Sequence, residues 1–144
     1  QAASVSAFAD RIHFLGLRGD LPEVYGTLDL LAIPSTNEGM SNALLEAMAC
    51  GVPVLAHSSC GMEEVLGEGA GGKTADLSNP ENLAVEAGSA LSDPAWLKDL
   101  GEAGRRRACD RFSLDVMAEK YKDAYRMAAA KARWGRHSPP VRST

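Results

Sequence analysis

The stretch DLLAIPSTNEGMSNALLEAMACGVPVLA, residues 29–56, begins and ends with a short apolar run. Between these two runs lie a polar loop and then a longer, mostly apolar segment. The run at 29–34 is apolar after its first residue and ends at a proline, which is typical of a strand buried on both faces. The run at 52–56 has the same character and predicts another buried strand. Two such strands close together in sequence require a crossover connection if they are parallel.

The segment between the two strands predicts that crossover. Residues 41–50, SNALLEAMAC, have the apolar spacing of a helix, and Ser41 or Asn42 can cap its start. Gly51 and then Pro53 end it, as a glycine after the last helical residue and a following proline commonly do. Strand, helix and strand in this order predict a parallel sheet with right-handed connections.

The flanking sequence continues the alternation. The further predicted elements are a strand at 11–16, helices at 20–28 and 62–66, a brief strand or extended loop at 71–75, and helices at about 80–92, 94–110 and 113–134. The predicted fold is therefore α/β, a Rossmann-like parallel sheet with flanking helices that ends in a long C-terminal helix. We expect one domain over residues 1–134 and a disordered tail at 135–144.

Composition excludes several classes of protein. The 144 residues are 45% hydrophobic and 24% charged, which fits a globular core, and the net charge of −4 argues against a nucleic-acid-binding surface. The three cysteines lack metal-ligand spacing, and their odd number makes a disulfide framework improbable. A reducing, cytoplasmic compartment is the default expectation.

Two glutamates eight positions apart point to a ligand. The loop STNEGMS follows a predicted strand, at the sheet edge where α/β proteins bind ligands, and it leads into a helix N-terminus that favours anions. Glu38 lies at the rim of this loop and Glu46 about one turn into the helix. Carboxylates repel a phosphate but accept hydrogen bonds from vicinal hydroxyls. One diol on each side of a diphosphate describes a nucleotide sugar.

The same residues carry a family resemblance. STNEGMSNALLEAMACGVPVLA resembles the E-x7-E signature of retaining glycosyltransferases of the two-Rossmann-domain (GT-B) type, in the family 4-like group 1. The blocks IHFLG, LPEVYGTLDLLAIPS, CGMEEVL and RFSLDVMAEKYKDAYR resemble, in order, the C-terminal donor-binding domain of that family over about residues 10 to 127. The resemblance implies that the chain is the later part of the C-terminal domain of a GT-B fold.

Residue roles follow from the resemblance. Glu38 is implied to be the catalytic residue that accepts hydrogen bonds from the transferred sugar, and Glu46 to hold the ribose hydroxyls. The other implied donor-binding residues are Gly39, Met40, Ser41, Asn42 and Ala43 around the sugar and diphosphate, and Gly16, Leu17, Arg18 and Leu21 near the base. Gly39-Met40-Ser41 departs from the Gly-Phe-Gly of many members.

The resemblance also implies partners. The expected partners are a nucleotide-diphosphate sugar donor and an N-terminal acceptor domain that would precede Gln1, together with a basic Arg and Lys pair of the family. The isolated chain is then expected to be inactive. A membrane-surface acceptor, reached through the missing domain, is left open. No metal or other cofactor is expected, because the dipoles of helix 41–50 can stabilise the leaving diphosphate.

Two alternatives remain at this point. The chain could be a stand-alone nucleotide-sugar-binding or regulatory module, or part of a nucleotide-sugar epimerase of the same fold.

The final helix carries an apolar face that we expect to be partly exposed, formed by Leu114, Met117, Tyr121 and Tyr125. Such a face predicts either self-association or a mobile helix end.

Overall fold

The computed structural model describes residues 8–135 of the chain, except residues 68 and 70. Its helices are α1 (Leu21–Tyr25), α2 (Asn42–Ala49), α3 (Cys60–Leu66), α4 (Pro80–Leu91), α5 (Pro94–Phe112) and α6 (Leu114–Gly135). Its strands are β1 (Leu31–Ile33), β2 (Val54–His57) and β3 (Lys73–Ala75), and a short 3-10 helix spans Ala9–Arg11.

The three strands form one parallel sheet in the order β1-β2-β3. Leu31 pairs with Val54, and Leu55 pairs with Lys73. Helix α2 connects β1 to β2 and helix α3 connects β2 to β3, so each parallel step is made through a helix. This confirms the predicted α/β, Rossmann-like architecture and its long C-terminal helix.

The core lies where the central strand meets α2 and α3. All of Val54, Leu55 and Ala56 are buried, as expected for a strand with neighbours on both sides. Helix α2 contributes Leu44, Ala47 and Met48, and α3 contributes Met62, Val65 and Leu66. In each helix these positions are spaced by three and four residues, so they form one inward face. The core therefore lies directly beneath the segments that follow β1 and β2.

Helix α5 packs closely on the end of α2. A Cβ built on Gly101 would overlap the carbonyl oxygen of Gly51, so only glycine allows the two backbones to approach this closely. Arg107 of α5 donates from Nε to the carbonyl oxygen of Val65 at 2.7 Å and from Nη2 to that of Glu64 at 2.9 Å. These bonds satisfy carbonyl groups at the end of α3 and connect the C-terminal helices to the sheet layer.

The predicted strand at 11–16 is wrong. Residues 12–16 belong to no helix or strand, and Phe14 is 84% exposed. A strand needs a neighbour that accepts its backbone hydrogen bonds, and no described strand pairs with this segment. The apolar run is suited to a strand, but none of the three strands of the described sheet pairs with it.

The C-terminal prediction has a mixed outcome. The apolar face of α6 is exposed as expected, with Leu114 77% and Tyr125 72% accessible. The predicted disordered tail lies, from residue 136 onward, outside the described residues, and the limits of the domain stay a prediction. Among the helices of residues 8–135, none is both long and apolar enough to cross a membrane.

Candidate functional site

The loop at 34–41 connects the carboxyl end of β1 to the first turn of α2, as the sequence predicts. The carboxyl end of the adjacent strand β2 leads into α3. In open α/β sheets, ligands bind outside these strand ends. The two predicted glutamates lie here, Glu38 in the loop and Glu46 on the fifth residue of α2.

The N-terminus of α2 is open. Ser41 is the N-cap residue, yet its side chain makes no capping hydrogen bond, and the first turn carries no acidic residue. The first N–H groups of a helix lack intrahelical partners, so they and the helix dipole favour an anion here. Asn42 and Ala43 are exposed, and so is Met40 before them. Ser41 has φ of −83°, so a serine fits this position without backbone strain.

A backbone contact fixes the position of the loop. A Cβ built on Gly61, the second residue of α3, would overlap the carbonyl oxygen of Gly39 and lie 2.8 Å from its Cα. The opposite is true of Gly39, where a built Cβ would meet no described atom within 4 Å. Gly61 thus lets the loop lie against α3, while the missing side chain of Gly39 leaves space open.

The two glutamates differ in their surroundings. Glu38 is half-buried, and its carboxylate makes no hydrogen bond or ion pair within the part of the chain that the structure describes. Glu46 is exposed on α2, but the hydroxyl of the buried Tyr25 donates a 3.1 Å hydrogen bond to its Oε2. Glu46 therefore has a hydrogen-bond partner although it is exposed.

Glu46 borders a cavity of about 450 Å³ between α1 and α2. Its lining consists of Gly19, Leu21, Pro22, Tyr25, Glu46, Ala49 and Cys50. The structure therefore brings Leu21 and Glu46, two of the predicted donor-binding residues, to one cavity. Apart from Glu46, the lining offers apolar side chains, a thiol and the phenol of Tyr25, which suits a planar ring system beside a hydroxyl-bearing group.

Arg18 lies elsewhere. It lines a separate cavity of about 290 Å³ with Leu15, Asp20, Glu23, Val24 and Thr27. Its Nε donates to Asp20 Oδ1 at 2.8 Å and its Nη2 to the other carboxylate oxygen. This guanidinium lowers the pKa of Asp20 below its usual value. Gly16 and Leu17 are exposed and line neither of these two cavities.

The side chain at the carboxyl end of β2 is hydrogen-bonded to the backbone after β3. His57, at the end of β2, accepts a 3.0 Å hydrogen bond at Nδ1 from the backbone N–H of Leu77. Asp76 lies 3.8 Å from the same nitrogen, and hydrogen bonds from Ser78 lower the pKa of Asp76. Because Nδ1 acts as an acceptor, the imidazole proton of a neutral His57 is on Nε2. His57 thus joins β2 to the segment after β3 and has a structural role.

Residues 67–74 match the spacing of a phosphate-binding loop, with Gly67, Gly72, Lys73 and Thr74 at the required positions. The structural context contradicts that function. A phosphate-binding loop runs from a strand into a helix, but Lys73 begins strand β3. Its ammonium group is 2.6 Å from Glu86 Oε2, in a pair with α4. The lysine therefore serves to attach α4 to the sheet.

Sequence reasoning missed two residues of the site. In the sequence, Tyr25 is only an apolar position of the predicted helix at 20–28, because nothing local links it to Glu46, 21 residues later. Gly61 is only the residue before the predicted helix at 62–66. Its contact with Gly39 has no local signal either. Among the described residues, no group of three or more His, Cys, Asp or Glu side chains could hold a metal ion.

Comparison with known proteins identifies the family. The profile of the family described as Glycosyl transferases group 1 matches residues 6–107. A D-inositol 3-phosphate glycosyltransferase of Rhodococcus opacus is 33% identical over 141 residues, which are 96% of this chain and 31% of that protein. The N-acetyl-alpha-D-glucosaminyl L-malate synthase of Bacillus anthracis is 30% identical over 116 residues, covering 81% of this chain and 30% of that protein.

Solved structures agree. The sucrose-phosphate synthase of Thermosynechococcus elongatus superposes with a TM-score of 0.75 at 30% identity, covering 85% of this chain and 31% of that one. The Anabaena protein Alr3699/HepE, solved in complex with UDP-glucose, gives a TM-score of 0.72 at 27% identity, covering 83% of this chain and 33% of that one. This chain spans about a third of the length of these relatives. It belongs to the group 1 glycosyltransferase family and has the α/β fold of its GT-B members.

Proposed function

We propose that this chain is the donor-binding part of a retaining glycosyltransferase, which moves a sugar from a nucleotide-diphosphate donor to an acceptor hydroxyl. The single observation that carries the proposal is the position of the two glutamates on either side of an open helix N-terminus. Glu38 precedes the first turn of α2 and Glu46 lies within the helix. One structural relative, Anabaena Alr3699/HepE, has been solved with UDP and with UDP-glucose, which supports a donor of this class.

In this proposal the helix N-terminus receives the diphosphate. Backbone N–H groups from Gly39 to Ala43, with the dipole of α2, stabilise the charge that develops on the leaving group. These dipoles are already oriented before the reaction, so the transition state is stabilised without reorganisation. No step of this account requires a metal ion.

The glutamates take the two hydroxyl-bearing ends of the donor. Glu46 accepts hydrogen bonds from the ribose, with the base in the cavity beside Leu21. Glu38 accepts from the transferred sugar, and its carboxylate is available because no described side chain pairs with it. Gly16, Leu17 and Arg18 are proposed to approach the base only after a rearrangement, since Arg18 is paired with Asp20 in a different cavity.

We further propose that the remaining parts of the reaction lie in other regions of a larger enzyme. The acceptor site and the basic Arg and Lys pair of the family then belong to those regions, and the isolated chain binds donor without transferring sugar. Cys50 and Cys109 are free and exposed, which fits a reducing, cytoplasmic compartment. An acceptor at a membrane surface is compatible with this arrangement.

The test begins with calorimetric titration of the 144-residue chain with UDP-, GDP- and ADP-sugars. We expect one of these classes to bind, and Glu46→Gln to weaken that binding by about tenfold or more. The matched control is Glu102→Gln, which makes the same chemical change on the exposed surface of α5 and leaves binding unchanged. If no class binds, or if both variants behave alike, the donor site is elsewhere.

The reaction class is tested on the complete enzyme. We expect transfer with retention, which nuclear magnetic resonance of the product shows from its anomeric configuration. Interconversion of the donor sugar without an acceptor would identify an epimerase instead. Binding without either reaction would identify a regulatory module.

A further inference from the structure

A buried tyrosine on one helix holds an exposed carboxylate on another. Tyr25 of α1 is only 7% exposed and belongs to the core cluster that includes Leu44, Ala47 and Met48 of α2. Its hydroxyl donates to Glu46 Oε2 at 3.1 Å. Both side chains line the cavity of about 450 Å³. The ring is therefore fixed by packing, while the group that it holds faces the cavity.

This hydrogen bond is the constraint on Glu46 that the structure shows. No other described residue makes a hydrogen bond or ion pair with the carboxylate. An exposed glutamate on a helix surface ordinarily samples several rotamers, and binding would have to select one of them at an entropic cost. With Oε2 engaged by Tyr25, Oε1 remains available to a ligand.

We infer that Tyr25 is a positioning residue, which orients the Glu46 carboxylate so that it accepts hydrogen bonds from a vicinal diol in the cavity between α1 and α2. The inference rests on the proposed function, in which Glu46 holds the ribose of the donor. It adds a residue with no direct part in the chemistry, whose effect is to pre-organise the carboxylate.

The chemistry of the pair supports this assignment. The phenol must be the donor, because an ionised carboxylate can only accept. Burial, and then the hydrogen bond to Glu46, raises the pKa of Tyr25, so its hydroxyl keeps its proton at neutral pH. Among the described residues that line the cavity, Glu46 alone carries a charge. Recognition of hydroxyl groups there thus depends on how this one carboxylate is oriented.

The test measures preference for ribose over deoxyribose. The probes are UDP and 2′-deoxy-UDP, with the corresponding GDP and ADP pairs, titrated into the 144-residue chain. For the base that binds, we expect the unmodified chain to prefer the ribonucleotide. Tyr25→Phe retains the ring and removes the hydroxyl, so it should reduce that preference by about threefold to tenfold and leave binding of the deoxynucleotide unchanged. A merely structural role would weaken both probes equally.

Control variants separate the outcomes. Tyr121→Phe makes the same change at an exposed tyrosine of α6 and should not alter the preference. Glu46→Gln should remove most of the preference, and adding Tyr25→Phe to it should have little further effect. If Glu46→Gln removes the preference but Tyr25→Phe retains all of it, the inference is wrong and the proposed function stands. If Glu46→Gln retains it, the ribose assignment and the inference both fail.

A second variant guards against a folding defect in Tyr25→Phe. Glu46→Asp keeps the charge but shortens the side chain by one methylene, which withdraws the carboxylate from the tyrosine hydroxyl. We expect it to lose preference to a similar degree while the core remains intact. Full preference in Glu46→Asp would overturn the inference, because the carboxylate would then act without the tyrosine.

Discussion

The helices that follow β1 and β2 begin differently from those that follow later in the chain. At the start of α2 and α3, the serines Ser41 and Ser59 make no capping hydrogen bond with their side chains. At the start of α4, Asn79 Oδ1 accepts from the N–H of Asn82 at 2.8 Å. At the start of α5, Asp93 Oδ1 accepts from the N–H of Trp96 at 3.0 Å.

The difference shows where the fold leaves polar groups without partners. The starts of α4 and α5 have one of their first N–H groups satisfied by the side chain of the N-cap residue. The two helix starts beside Glu38 do not, and there the buried hydroxyl oxygen of Ser59 also has no partner among the described residues. We propose that the open region is the ligand-binding end of the sheet and that the capped region is its scaffold.

The largest expected effect tests the open region through its backbone contact. In Gly61→Ala, the new Cβ would overlap the Gly39 carbonyl, so the loop carrying Glu38 must shift. We expect the free energy of unfolding to fall by about 1–3 kcal/mol and donor affinity to fall by about a hundredfold. Urea denaturation and calorimetry measure the two quantities.

Gly88→Ala provides the matched control in the capped region. Gly88 lies inside α4, and a Cβ there would meet no described atom within 4 Å. The same substitution should therefore stabilise the chain by about 0.5–1 kcal/mol through helix propensity, without changing donor affinity. Equal effects of the two alanines would contradict the proposed contact between the loop and α3.

The next prediction separates the two glutamates within the open region of the complete enzyme. If Glu46 holds the ribose as proposed, Glu46→Gln removes a charge that binds ground and transition states alike, so we expect the Michaelis constant for the donor to rise about tenfold to a hundredfold with a modest change in turnover. In the proposed site, Glu38→Gln changes a contact to the transferred sugar, whose charge changes during the reaction. Its loss should fall mainly on turnover, measured in the same steady-state assay.

The opposite distribution would exchange the two roles. A Glu38→Gln enzyme with full turnover would remove Glu38 from the sugar site. Unchanged donor affinity in a folded Glu46→Gln enzyme would show that the ribose is held by another group.

A smaller effect on the free energy of unfolding is expected when the N-cap side chains of α5 and α2 are removed. Asp93→Ala removes a capping bond and should lower the free energy of unfolding by about 1 kcal/mol. Ser41→Ala removes a side chain that makes no capping bond, so its effect on stability should stay below about 0.5 kcal/mol. Urea denaturation of both variants decides the matter. A cost at Ser41 as large as that at Asp93 would show that its hydroxyl stabilises the helix after all.

The smallest effect concerns alkaline pH. The pKa of Tyr25 is raised in the folded protein, mainly by burial and then by Glu46. Its contribution to stability is therefore fully present below the unfolded pKa of about 10 and is lost as the pH rises through the folded value. We expect the unmodified chain to lose stability above about pH 10 more steeply than Tyr25→Phe. Parallel curves for the two proteins in urea denaturation between pH 8 and 11 would rule out the raised pKa.

The order of the elements from α1 onward and the position of the candidate site could be predicted from the sequence. Proline and glycine at the ends of apolar runs, and apolar spacing within them, are local signals, so α2, α4, α5 and β2 lie within about two residues of their predicted limits. The same local pattern placed Glu38 at the carboxyl end of β1 and Glu46 inside α2. These features depend only on neighbours along the chain.

Which distant residues come into contact depends on tertiary packing. Tyr25 reaches Glu46 because α1 packs against α2, and Gly61 touches Gly39 because α3 begins beside the loop. The predicted strand at 11–16 failed for the same reason, since a strand exists only with a neighbour to pair with. Arg18 and Leu21 are three residues apart, yet they line different cavities. Contacts between distant segments depend on packing geometry, which spacing in a sequence does not record.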